Sequence, residues 1–158
     1  MAALDADSDG QLSEKELKAC PGMLKAIGRY DENSDGAISA DEITSRWTRV
    51  NEMPDVPQTP ICSVTKSGRP LAGVTVMLEP EAFLADAIAP AHAETDRNGT
   101  CQPKAEGSPG LAAGIYKVRI TDRQNKIPAK YNTETILGVE LSFDLGRDAE
   151  SPQFDLKF

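Results

Sequence analysis

Two stretches of this chain carry oxygen-bearing side chains at alternate positions and then a glycine. They are Asp5-Ala-Asp7-Ser-Asp9-Gly10-Gln11-Leu12-Ser13-Glu14-Lys15-Glu16 and Asp31-Glu-Asn33-Ser-Asp35-Gly36-Ala37-Ile38-Ser39-Ala40-Asp41-Glu42. A hard cation such as calcium takes about six to eight oxygens, and a short loop wraps it where acceptors recur in this way. In the first loop Asp5, Asp7 and Asp9 supply side-chain oxygens and Gly10 stands where the chain must turn sharply. Gln11 then offers its backbone carbonyl, Ser13 acts directly or through a water, and Glu16 closes the sphere with both carboxylate oxygens. Asp31, Asn33, Asp35, Gly36, the Ala37 carbonyl, Ser39 and Glu42 fill the same roles in the second loop. The expected cofactor is therefore Ca2+, as two ions.

The elements that must hold these loops are legible around them. Leu12 and Ile38 occupy equivalent positions and can pair across a short two-stranded bridge. Pro21 to Tyr30 reads as a helix entering the second loop, and Trp47 lies on the helix leaving it. At every ligand position this part of the chain resembles the EF-hand family, and two motifs in register make the resemblance specific. It covers roughly the first 50 residues. Only Met1 to Leu4 precede the first loop, so its entering helix is expected to be absent or upstream, and the chain to be a trimmed segment of a longer precursor. A dockerin-like loop-helix module also lacks entering helices, but Glu16 and Glu42 at the closing positions and the helix over 21–30 favour EF-hands.

Composition changes across Asn51 to Pro60, where Pro54, Pro57 and Pro60 disfavour helix and read as an extended linker. Through Val50 there are six Lys/Arg against ten Asp/Glu, and beyond it eleven against fifteen, so each part carries half of the net charge of −8. Two bound calcium ions bring the first part to about neutral. The acidic balance argues against a nucleic-acid partner, because a phosphate-binding surface needs a concentrated basic face. There is no polybasic anchor for anionic lipid. No apolar run approaches the roughly 20 residues of a membrane span, and the chain carries no signal peptide. Cys20, Cys62 and Cys101 allow at most one intrachain bridge. Cys62 and Cys101 fall in two predicted strands, which leaves either a disulfide between them or two small buried thiols.

From Pro60 onward short alternating runs are broken by turn residues, the pattern of an antiparallel sandwich. Strands are expected at Ile61–Thr65, Val74–Leu78, His92–Thr95, Thr100–Gln102, Gly114–Thr121, Ile136–Phe143 and Gln153–Phe158, with a tight hairpin at Asp96-Arg97-Asn98-Gly99. Pro80 to Pro90 has helical spacing, and its apolar side can cap one open end of the sandwich or meet a partner. Val64-Thr-Lys-Ser-Gly68-Arg-Pro70-Leu71-Ala-Gly73-Val74-Thr-Val76, Thr95-Asp96-Arg-Asn-Gly99, Pro109-Gly110 and Gly114-Ile-Tyr116-Lys-Val118 resemble the bacterial carboxypeptidase regulatory-like, transthyretin-like sandwich domains. Ile127-Pro128-Ala-Lys130-Tyr131-Asn132 and the closing Phe154-Asp155-Leu156 are similar to the endings of small envelope proteins in that group. The chain departs from the pattern at Cys62, at Cys101 and at the inserted 80–90 segment.

The expected fold class is thus α+β in two domains. An α-helical EF-hand pair over 1–50 is followed by a linker over 51–60, then by an antiparallel Ig-like or transthyretin-like sandwich of about seven strands over 61–158. The second resemblance implies an extracytoplasmic module, periplasmic, envelope-attached or secreted, that meets a protein or cell-surface partner and performs no catalysis. Transthyretin-like hydrolases of oxidised purines resemble one another through several histidines and a terminal Tyr-Arg-Gly-Ser. This chain has only His92, read as a solvated strand-edge residue, and ends Asp155-Leu-Lys-Phe158. It also lacks a His-Glu-x-x-His string and any recognisable nucleophile motif. Two alternatives to a structural or binding module remain. One is carbohydrate binding or adhesion, for which Tyr131 beside Lys130 and Asn132 is the polar aromatic cluster. The other is a calcium-responsive regulator whose partner docks on the hands.

Overall fold

The computed structural model of the chain describes residues 4–52, 57, 59–142 and 151–158. Met1 to Ala3, half of the proline-rich linker over 51–60, and residues 143–150, with Phe143 of the last-but-one expected strand, lie outside these residues.

The first part of the chain is built on a strand pair and two α-helices. Strands β1 (Gln11–Ser13) and β2 (Ala37–Ser39) pair antiparallel, with Leu12 opposite Ile38 as the sequence suggests. A single 3-10 turn over Glu16–Ala19 follows β1 and gives way at Pro21 to helix α1 (Pro21–Tyr30). Proline suits that first helical position because its missing N–H has no intrahelical partner to lose. Met23, Ala26 and Tyr30 recur at helical spacing and are buried together. Helix α2 (Ala40–Asn51) starts on a capping box: Ser39 Oγ accepts from the Glu42 N–H while the Glu42 carboxylate accepts from the Ser39 N–H.

The remainder is sandwich-like and mostly antiparallel. Strands β3 (Cys62–Lys66), β4 (Arg69–Pro70), β5 (Val74–Pro80), β6 (Ala91–Glu94), β7 (Thr100–Cys101), β8 (Lys104–Ala105), β9 (Gly114–Asp122), β10 (Gly138–Leu141) and β11 (Gln153–Leu156) form two sheets. One has the order β10-β9-β5-β6-β8; the other runs β11-β3-β4, with β7 also paired to β3. Val64, Cys62, Phe154 and Leu156 from the second sheet share a core with Val76, Leu78, Tyr116, Val118 and Ile120 from the first. The β3–β11 pair is parallel, which corrects the expectation of a wholly antiparallel sandwich. These two strands come from opposite ends of the sandwich sequence, so no hairpin constrains their direction.

The segment between Pro80 and Pro90 is not a helix. One 3-10 turn, Ala82–Leu84, is followed by turns in which the Ala87 and Ile88 N–H groups donate to Leu84 O. Too few residues lie between the prolines to repay helix nucleation, and two cores compete for the side chains. Leu84 packs with the first part of the chain, Ile88 packs on the sandwich, and Phe83 stays exposed.

Candidate metal centre

The two loops fold alike because their sequences demand the same backbone turns. Ser8 and Ser34 have φ of 61°, and Gly10 and Gly36 have φ of 85° and 86°, so the fourth and sixth loop positions are left-handed in both. Glycine takes that conformation without a Cβ penalty. The first carboxylate of each loop accepts from that glycine: Gly10 N–H to Asp5 Oδ2 at 3.1 Å, and Gly36 N–H to Asp31 Oδ2 at 2.9 Å. Asp9 Oδ1 accepts from the Gln11 N–H and Asp35 Oδ1 from the Ala37 N–H, while Asn33 Oδ1 accepts from the Asp35 N–H.

The closing glutamates are oriented with equal care. Glu16 Oε2 accepts from Ser13 Oγ at 2.6 Å and from the Ser13 N–H, while its Oε1 reaches across the loop to the Ala6 N–H at 2.7 Å. Glu42 repeats this with Ser39 and the Glu32 N–H. The Ser13 hydroxyl, followed by the Ser13 and Ala6 N–H groups, holds the Glu16 carboxyl down at about 2. Glu42 is lowered in the same way, first by the Ser39 N–H and then by its hydroxyl. Both glutamates are therefore anionic at neutral pH, as a bidentate calcium ligand must be.

The sequence-predicted ligands Asp5, Asp7, Asp9, Gln11 and Glu16 lie on one loop and Asp31, Asn33, Asp35, Ala37 and Glu42 on the other. In the first loop, carboxylate oxygens of Asp5, Asp7 and Asp9 all fall within 4.8 Å of one another. Asp5 Oδ1 is buried and has no hydrogen-bond partner. A buried, unpartnered carboxylate oxygen beside two further carboxylates is costly in a protein and is what an oxygen-seeking cation would satisfy. The donor set fits calcium: hard oxygens, anionic, with a closing glutamate.

The EF hand family matches residues 1–21 and 24–45. The match takes in both EF-hand loops and ends before the sandwich. No curated protein matches the chain, and no solved structure does.

Ten ligand positions were read from sequence; the groups that dock the EF-hands on the sandwich were not. Gly138 and Glu140 on β10, and Ser142 just beyond it, meet α1 and α2 on the side away from the sandwich core. Glu140, with a side chain 2% exposed, accepts from Arg29 Nη1 at 2.8 Å, Arg46 Nε at 3.2 Å and the Tyr30 hydroxyl at 3.3 Å. Arg46 also donates to Ser142 Oγ. The residue opposite Glu140 across the sheet, Ile115, is fully buried in the EF-hand core with Leu12, Met23 and Ile38. At the other end of α1, the Gly22 N–H donates to buried Glu81 at 2.9 Å. Gly22 and Gly138 let the backbones meet: a Cβ on Gly138 would lie 2.3 Å from Pro21 O, and one on Gly22 would lie 2.8 Å from Tyr116 O. The Gly-x-Glu-x-Ser alternation over 138–142 was the available signal, but it reads as an ordinary solvated face of a strand.

The remaining candidate sites look different in three dimensions. His92 is exposed on β6, between β5 and β8, and so is not on a sheet edge. Tyr131 is 5% exposed, and its hydroxyl accepts from the Lys157 N–H at 2.9 Å. Tyr116 and Phe154 are buried too, so among the described residues the sandwich offers no row of exposed aromatics for a sugar.

Proposed function

We propose that this chain is a calcium-binding, non-catalytic module of a bacterial envelope or secreted protein. Two Ca2+ ions fold and stiffen the EF-hand pair over residues 1–50, and the sandwich over 61–158 carries structural or binding interactions. The observation that carries the calcium reading is the pair of matching loops, with the unpartnered Asp5 Oδ1 among three converging carboxylates. The Glu140 network supports the further view that calcium orders the sandwich edge as well. Tyr30 and Arg46, which grip Glu140, stand next to Asp31 and one turn beyond Glu42. The extracytoplasmic setting and the transthyretin-like or Ig-like type of sandwich rest on the resemblance of residues 60–158. The lack of catalysis rests on a single exposed histidine and the missing nucleophile motif.

Calorimetric calcium titration of chelator-stripped protein tests this reading, with Asp5→Ala and Asp31→Ala in parallel. Two sites are expected, each lost with its own variant. Absence of binding heat in the parent at millimolar calcium, with no protection from thermal unfolding, would overturn it.

A second reading, a calcium-responsive regulator, is favoured by one feature. An apolar recess of about 340 Å³ is lined by Leu4, Leu12, Met23, Ile43, Trp47, Phe83 and Leu84. A regulator would widen that recess on loading and bind an apolar dye more strongly. Unchanged dye fluorescence across the titration favours the stabilising role.

A further inference from the structure

We propose that Cys62 and Cys101 form an intrachain disulfide that fastens β7 to β3, while Cys20 remains a thiol. The two cysteines are direct partners in the antiparallel β3–β7 pairing, beside Ser63 and Thr100. Directly opposed residues of an antiparallel pair have Cα atoms about 4.5–5.5 Å apart, inside the range that a disulfide spans. Both side chains point into the sandwich core; Cys62 is fully buried and Cys101 is 8% exposed. Cys20 belongs to the other core, among EF-hand residues.

The thiols also differ in readiness. The neighbouring Cys101 sulfur and burial push the Cys62 thiol upward. Burial, reinforced by the nearby Glu81 charge, pushes Cys20 up to about 12. Cys101, at 8% exposure, is the thiol that an oxidant reaches first. With oxidised glutathione as oxidant, Cys101 gives its proton to water, its Sγ attacks one glutathione sulfur, and the other leaves as a thiolate that takes up a proton. Cys62 then gives its proton to solvent and its sulfur attacks Cys101 Sγ, expelling the second glutathione. Two protein thiols are oxidised to one disulfide while one glutathione disulfide is reduced to two thiols.

The bond has a structural purpose. Between β6 and β8, both in the five-stranded sheet, the chain crosses to the other sheet, which it joins through the two residues of β7 and the Gly99 carbonyl. A covalent tie at Cys101 fixes that crossing and constrains the unfolded chain.

The test is oxidation of the whole chain with glutathione disulfide, followed by denaturation, alkylation without reduction, intact mass and peptide mapping. It is run with calcium and with chelator, so that its outcome does not depend on metal binding. One alkyl adduct, on Cys20, and a peptide joining Cys62 to Cys101 are expected. Three adducts, a bridge that includes Cys20, or a lasting glutathione adduct on Cys101 would overturn the proposal. Oxidation should also raise the thermal midpoint of the parent and of Cys20→Ser, and leave that of Cys62→Ala unchanged. An equal rise in Cys62→Ala would count against the bond.

Discussion

Each closing glutamate does two jobs, and a neighbouring serine makes that possible. Ser13 hydrogen-bonds Glu16 and Ser39 hydrogen-bonds Glu42, so the carboxylates are aimed and ionised before any ion arrives. Removing a group that orients a metal ligand commonly lowers affinity about 10–100-fold. Ser13→Ala should therefore weaken the first site by that factor in calcium titration and leave the second unchanged. Ser39→Ala should weaken the second site similarly. It should also destabilise the metal-free protein by about 1 kcal/mol, because Ser39 is the N-cap of α2. Equal affinities in parent and Ser13→Ala would mean that Glu16 finds its geometry without help. These positions were legible because calcium ligation is local: acceptors at alternate positions and one obligatory turn are fixed within a dozen residues. The glutamate that matters most to docking, Glu140, was not legible, since nothing near it in sequence reveals the two arginines that meet it.

Among the elements, α1 is the hinge between the two halves of the molecule, and its position depends on close backbone contact. Gly138 and Gly22 leave no room for a methyl group, so Gly138→Ala must lift α1 off β10 or distort the strand. Overpacking of this kind typically costs about 1–3 kcal/mol, which denaturant unfolding would detect. Glu81 anchors the other side of that contact. Burial raises its carboxyl above the usual value of 4.5, although the Gly22 N–H opposes the shift. With the folded value raised, the folded state holds the proton more tightly, so stability falls as pH climbs from below 4.5 through the raised value. Glu81→Gln keeps an acceptor for Gly22 and removes that slope; parallel stability curves for parent and variant across this range would contradict the account. Long alternating strands such as β5 and β9 could be read directly from sequence, as could the Asp96–Gly99 turn. The two-residue strands β4 and β8 could not, because they are defined by their partners. The 80–90 segment misled for the same reason: its spacing suits a helix, but its leucine and isoleucine are claimed by separate cores.

At the scale of the whole molecule, the arrangement makes calcium affinity and sandwich stability parts of one equilibrium. Glu140 sits in the sheet, yet its partners Tyr30, Arg29 and Arg46 belong to the helices that frame the second loop. Ligand that binds only the folded EF-hands stabilises whatever unfolds together with them. The parent should accordingly show a single thermal transition that rises with calcium, followed equally by Trp47 fluorescence and by far-ultraviolet dichroism. Glu140→Ala takes from Arg46, with a side chain only 6% exposed, one of its partners, and leaves it Ser142. Breaking a buried pair from one side costs about 3–5 kcal/mol where the remaining charge keeps no partner; Arg46 keeps Ser142, so the loss here is smaller, and Arg29, at 43% exposure, adds little because water replaces its partner. The variant should unfold in two steps, with calcium moving only the step that Trp47 reports. If calcium still raised both steps together in Glu140→Ala, the coupling would run through the Ile115 contact and the glycine-lined backbone seam, and the ion network would serve only to set the angle between the parts.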